Sequence, residues 1–168
     1  MIPLRLLQYM NQTYLLIGGN LGNRLENLEK AREHVSRVAG KILSTSSIYE
    51  TEAWGMNQQP AFLNQVLFIS TDLTPQQLLP VLLGIEHEMG RERTQKFGPR
   101  TIDIDILFFN EEIIEQPGLS IPHAQLHLRR FTLEPLNEIA PGYIHPIFKE
   151  SISNLLQQCP DPLSVKKL

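Results

Sequence analysis

Apolar residues along this chain change their period several times, and each change marks an element. Thr13 to Ile17 is a short apolar run ending in Gly18-Gly19, the pattern of a buried strand closed by a glycine turn. Asn23 with Glu26 three positions on forms a capping-box-like start, and Leu25, Leu28, Ala31, Val35 and Val38 then recur at helical spacing up to Gly40. Ile42 to Tyr49 and Phe62 to Thr71, rich in β-branched and aromatic residues, read as two strands separated by the Gly/Asn/Gln/Pro-rich stretch from Gly55 to Pro60. Thr74-Pro75 opens a second helix whose apolar face carries Leu78, Leu82, Ile85 and Met89. Pro80 lacks the N–H that an interior helical position needs, so this helix is expected to kink there or to start later. Ile102 to Phe108 alternates as a strand, and Asn110 to Glu112 turns it toward a short partner at Ile113-Ile114. The proline-punctuated tail predicts weak helices at best.

Strand, helix, strand, strand, helix, strand is the order of a ferredoxin-like βαββαβ core, an α+β fold with helices packed on a mostly antiparallel sheet. The 168 residues suffice for one domain, expected over 13–168, with 1–12 as an N-terminal extension whose nativeness the sequence leaves open.

Charge and composition then narrow the function. Fifteen Lys+Arg against 18 Asp+Glu give a net charge of −3, which supplies no global field for nucleic acid or an anionic membrane. The apolar stretch Ile2 to Leu7 contains Pro3 and Arg5 and is too short for a signal-peptide core or a membrane span. Cys159 is the single cysteine, so no internal disulfide can form and a cytoplasmic, reducing compartment is expected.

The densest chemistry lies between Arg91 and Leu107. Alternation along a strand turns Ile102, Ile104 and Ile106 toward a core and puts Asp103 and Asp105 on the opposite face, roughly 6 to 7 Å apart. An isolated Asp-x-Asp on an amphipathic strand is a solvated polar face. Here Arg91, Arg93, Lys96 and Arg100 crowd the same region of an acidic protein, and paired carboxylates beside clustered guanidinium groups suit Mg²⁺ and a polyphosphate. A surface ion-pair network including Glu92 would not need the two Asp on one face. A nucleotide-sugar transferase also uses Asp-x-Asp, but this chain has no length for a second sugar-binding domain. A binding module that has lost its chemistry would not need Arg91, Arg100, Asp103, Asp105 and His123 together.

The run Gly98-Pro99-Arg100-Thr101-Ile102-Asp103-Ile104-Asp105-Ile106-Leu107 is similar throughout to the signature of the 6-hydroxymethyl-7,8-dihydropterin pyrophosphokinases. Leu16-Ile17-Gly18-Gly19-Asn20-Leu21-Gly22 resembles that family's opening, Ser46-Ser47-Ile48-Tyr49-Glu50-Thr51 its second strand and Phe62-Leu63-Asn64-Gln65-Val66 its third. Ile121-Pro122-His123 and Arg129-Arg130-Phe131 follow in order, so the likeness extends from about Tyr14 to Pro146.

The resemblance implies transfer of pyrophosphate from ATP to the hydroxymethyl group of the dihydropterin, leaving AMP, as a step of folate biosynthesis. It implies catalytic roles for Arg91, Arg100, Asp103 and Asp105, with Asp103 and Asp105 holding two Mg²⁺ ions. It implies ATP contacts from Glu86, Arg91, Arg100, Ile106, Leu119, Ser120, His123 and Arg129. For the pterin it implies an aromatic clamp of Phe62 and Phe131, an edge contact from Asn64, and backbone groups near Thr51 and Trp54. The partners expected are these two small molecules, bound by a monomer. Phe62, Leu83, Thr94 and Phe97 depart from the residues relatives often carry, and the basic loop is one residue shorter between Arg93 and Gly98, so Lys96 is given no role.

Overall fold

The computed structural model of the chain describes residues 10–53, 58–91 and 98–168. The elements run β1 (Asn11–Gly19), α1 (Arg24–Val38), β2 (Lys41–Thr45), β3 (Tyr49–Thr51), β4 (Phe62–Thr71), α2 (Pro75–Glu88), β5 (Asp103–Phe109), β6 (Ile114–Gln116) and β7 (Leu119–Ile121). A 3₁₀ turn at Leu126–Leu128, α3 (Arg130–Ile139), α4 (Ile152–Gln157) and β8 (Val165–Lys167) complete the order. Six strands form one sheet in the order β5-β1-β4-β3-β8, with β2 also on β4, and every pairing is antiparallel. This is the expected βαββαβ core with strands added to it.

Helices cover both faces of the sheet. On one side Leu28, Ala31 and Val35 of α1 and Leu78, Leu82 and Ile85 of α2 bury Leu15, Ile17, Leu67, Ile69, Ile104 and Ile106. On the other, Leu133 and Leu136 of α3 with Ile152 and Leu155 of α4 bury Leu16, Val66, Leu107 and Phe108. Asn23 caps α1 by accepting from the Glu26 N–H at 3.1 Å, and Thr74 and Gln77 close a reciprocal capping box on α2.

Several sequence expectations are corrected. β1 takes in Asn11 and Gln12, paired with Thr71 and Ser70, so the strand starts two residues before the expected boundary; residues 1–9 lie outside the described residues. Gly18 and Gly19 continue β1 rather than turning it, paired with Asn64 and Leu63. The strand expected from Ile42 to Tyr49 breaks into β2 and β3, with a bulge between Ile42 and Ser44. Helix α2 starts at Pro75 and runs through Pro80, because Leu78 and Leu82 on either side are fully buried and packing outweighs one lost hydrogen bond. Ile114 pairs with Ile121 in a separate β6–β7 hairpin instead of returning to β5. The tail holds a ten-residue helix, α3, and its last strand, β8, pairs with β3. No helix among the described residues is long and apolar enough to cross a membrane.

Candidate active site

Antiparallel register builds one row of side chains across the sheet: Asp103 lies beside Gly18, Gly18 beside Asn64, and Asn64 beside Tyr49. Asp105 lies beside Leu16, and Phe62 beside Thr51, two residues away along their strands and so on the same face. Helices α3 and α4 cover this face where Leu16, Val66, Leu107 and Phe108 lie. The uncovered end, closed by Arg100, Arg129 and Phe131, is a cavity of about 610 Å³ including its mouth. Gly18 makes room in its floor: a Cβ there would stand 2.0 Å from Asn64 Oδ1.

Charge is arranged unevenly around the two aspartates. Arg91 and Arg100 both hold Asp103, Arg91 through Oδ1 and Arg100 through Oδ2 at 3.1 Å. The Arg100 guanidinium also lies 5.1 Å from the centre of the Phe62 ring. The Nε groups of Arg91 and Arg100 are buried and find no acceptor among the described residues. Burial first, then the charges of Asp103 and Glu86, raise the Asp105 carboxyl to about 7, against the opposing pull of Arg129 and Arg100. Such a carboxyl sits in a place short of positive charge. Two oxygen donors on one strand face, at the mouth of an open cavity, suit a hard divalent cation that takes its other ligands from phosphate and water. Mg²⁺ therefore fits the side chains present.

A second groove, about 980 Å³ including open space, runs along the outer edge of β5 between Leu79 of α2 and the segment from Gly118 to Arg129. Ile106, Leu119, Ser120 and His123 line it. The His123 N–H of the main chain donates to the Leu107 carbonyl at 3.0 Å, and the ring Nδ1 accepts from the Gln125 N–H at 3.2 Å. Burial first, then Arg129, lower the imidazole to about 4, so near neutrality the ring is uncharged with its proton on Nε2. Among the described residues, Asp105 and Arg129 alone line both spaces.

The structure thus brings together Thr51, Phe62, Asn64, Arg100, Asp103, Asp105, Arg129 and Phe131 in the cavity, and Ile106, Leu119, Ser120 and His123 in the groove. Arg91 stands behind Asp103, and Trp54, Thr94 and Phe97 lie outside the described residues. Glu86, expected as an ATP contact, lies beneath the site beside Arg91. It is buried at 3 % exposure, accepts from Arg91 Nη1 at 2.6 Å and from the Ile104 N–H at 3.0 Å, and lines neither space. It closes the free hydrogen-bonding edge of β5 between the two aspartates and fixes Arg91 at once. Leu83 sits exposed on α2, away from both spaces. Sequence reasoning missed Leu79, Gln125 and the structural part of Gly18. The glycine pair at the end of an apolar run was the available signal for the last of these, and nothing local marks Gln125.

Comparison with known proteins finds relatives over most of the chain. Residues 14–141 match the family model of 7,8-dihydro-6-hydroxymethylpterin-pyrophosphokinase (HPPK). The chain is 42% identical over 143 residues to the 2-amino-4-hydroxy-6-hydroxymethyldihydropteridine pyrophosphokinase of Aquifex aeolicus, covering 85% of this chain and 89% of that protein. It is 37% identical over 158 residues to the Haemophilus influenzae protein of the same name, covering 94% and 98%. Among solved structures, a Plasmodium falciparum HPPK-DHPS triple mutant superposes with a TM-score of 0.72 at 22% identity, over 89% of this chain and 44% of that one. That likeness supports the fold.

Proposed function

The chain belongs to the 7,8-dihydro-6-hydroxymethylpterin-pyrophosphokinase family, and on that premise we propose how its own residues divide the work of the reaction. It is an ATP-dependent diphosphotransferase that moves pyrophosphate to 6-hydroxymethyldihydropterin in folate biosynthesis. The pterin takes the cavity between Phe62 and Phe131, with its polar edge on Asn64 and main-chain groups near Thr51. ATP takes the groove along β5. The observation that carries this division is that the two spaces meet at Asp105 and Arg129, where attacking alcohol and phosphate chain must meet.

In the transfer, the hydroxymethyl oxygen forms a bond to the β-phosphorus and the bond from that phosphorus to the α-phosphate oxygen breaks. AMP departs with the electron pair, and the alcohol proton goes to solvent. Asp103 and Asp105 would hold Mg²⁺, two ions in this proposal, which when bound neutralise triphosphate charge and lower the pKa of the alcohol. Arg91 and Arg100 exchange their carboxylate partner Asp103 for phosphate oxygens, which they grip through planar forks. Arg129 stands at the junction of the spaces and holds the transferring group in line. Phe62 and Phe131 fix the pterin plane, and no side-chain nucleophile is needed. On this reading the enzyme works as a cytoplasmic monomer, with β1 through β8 folding as one unit.

His123 donates a hydrogen bond from Nε2 to the departing AMP rather than a formal charge, since burial and Arg129 keep its ring neutral near pH 7. His123→Ala is expected to lower kcat by roughly ten- to a hundredfold with little change in pterin affinity, the usual scale for one preorganised donor. A loss confined to KM would remove His123 from the transition state. The whole reading is tested by incubating the protein with Mg-ATP and hydroxymethyldihydropterin: AMP and a pterin diphosphate should appear together, and ADP with a pterin monophosphate would overturn it.

A further inference from the structure

The turn between β1 and α1 contains a buried amide that this division of work leaves unused. Asn20 is 2 % exposed and engages both ends of its side chain. Its Oδ1 accepts from the main-chain N–H of Arg100 at 2.9 Å, while Nδ2 donates to Gln59 Oε1 and to the Pro60 carbonyl, each at 2.9 Å. The main-chain N–H groups of Asn20 and Leu21 both donate to the Arg100 carbonyl, at 2.9 and 3.2 Å. Gly19 permits this close approach, since a Cβ there would meet the Thr101 carbonyl oxygen at 2.2 Å. Four residues on, Arg24 Nη1 donates to Glu50 Oε2 at 2.7 Å and to the Ala61 carbonyl at 2.9 Å. One short turn therefore holds the backbone of Arg100, on the phosphate side, and residues 59–61, which lead directly into Phe62 on the ring side.

We infer that Asn20 is a positioning residue that links the nucleotide site to the pterin site through this single carboxamide. The inference rests on the assignment of Arg100 to phosphate and Phe62 to the pterin. A buried amide using one acceptor and two donors cannot move toward one set of partners without straining the other, because the groups it leaves become unsatisfied away from water. The Arg100 guanidinium already lies over the Phe62 ring and on Asp103, so the two sites share its side chain as well as its main-chain anchor. Phosphate that draws Arg100 off Asp103 and Phe62 shifts the balance at Asn20, and Asn20 passes that shift to the segment holding Phe62. The same connection works in reverse, as linkage between two ligands requires.

Pterin dissociation constants, with and without Mg²⁺ and a non-hydrolysable ATP analogue, together with kcat, test this in the native protein, N20A and N20D. In the native protein the analogue should tighten pterin binding by roughly 5- to 150-fold, the ordinary range of such linkage. N20A should shrink that factor at least fivefold and turnover at least tenfold. N20D keeps an acceptor for the Arg100 N–H but cannot donate to Pro60, so pterin should weaken while the analogue alone binds within threefold of native. If N20A fails to fold, N20D decides alone. Native coupling in the folded variants overturns the inference, and so does an equal loss of both ligands in N20D, the mark of a merely structural amide. A native protein that releases AMP but shows no coupling overturns it too, whereas one that releases no AMP overturns the assignment of the reaction itself.

Discussion

Asp105→Asn is expected to lower turnover by at least about a thousandfold, roughly 4 kcal/mol of transition-state stabilisation, while making the Mg²⁺-free protein more stable. The loss follows from removing one of two carboxylates where both spaces meet, with the shape of the side chain kept. The gain follows from burial and from Asp103 and Glu86, which hold the Asp105 carboxyl at about 7 instead of the ordinary 3.8. A carboxyl raised in the folded state binds a proton there that the unfolded chain has already lost. Stability therefore falls as pH rises through the window from about 4 to about 7, and the penalty is complete above it. Its upper bound is about 4 kcal/mol; a realised gain of about 1 to 2 kcal/mol at pH 8 would raise the melting temperature by several degrees. Asp103→Asn should match it in turnover and differ in stability, because Asp103 is the acceptor for Arg91 and Arg100 and its removal strips both of a partner. Single-turnover AMP release and melting without Mg²⁺ at pH 5 and pH 8 separate the two effects. Turnover within tenfold of native in either variant would sink the assignment, and an Asp105→Asn protein less stable than native at pH 8 would sink the account of its charge.

The half of the site carried by β5 was legible in the sequence because a strand imposes period two without help from elsewhere. Ile102, Ile104 and Ile106 had to face one way and Asp103 and Asp105 the other, and they do. Register was not legible in this way. Nothing within five residues of Gly18 says that its missing Cβ makes room for Asn64, a residue two strands from Asp103 in the sheet. The same holds for Asn20, whose partners lie 39, 40 and 80 positions away. The tail misled for a different reason. Pro135 sits inside α3 and removes one helical bond, yet Leu133 and Leu136 are fully buried, and that packing keeps the helix. Glu86 did leave a signal. It follows Leu78 and Leu82 at four-residue spacing, so a carboxylate stood in the apolar stripe of α2, where a charge survives only with partners such as Arg91 and the Ile104 N–H.

Asn64→Ala is expected to weaken pterin binding by roughly thirty- to a thousandfold, about 2 to 4 kcal/mol, and to leave binding of the ATP analogue within threefold of native. The asymmetry comes from position. Asn64 is buried in the middle of the sheet, in the row between Gly18 and Tyr49, and lines the cavity but not the groove. Its amide offers both a donor and an acceptor to the edge of a heterocycle that carries both. Truncation leaves the polar edge of the bound ring without those partners at a position where Asn64 itself is buried, so the cost exceeds that of one average hydrogen bond. Phe62 and Phe131 remain to hold the ring faces, which is why binding is weakened and not abolished. Gly18→Ala offers an independent route to the same end, since its Cβ would stand 2.0 Å from Asn64 Oδ1 and must push that amide out of place with all its atoms intact. Both variants should raise the pterin KM far more than they lower AMP formation at saturating pterin. Calorimetry with each ligand separately decides the matter: a matching loss of nucleotide affinity in Asn64→Ala would place its effect in the sheet rather than in recognition of the ring.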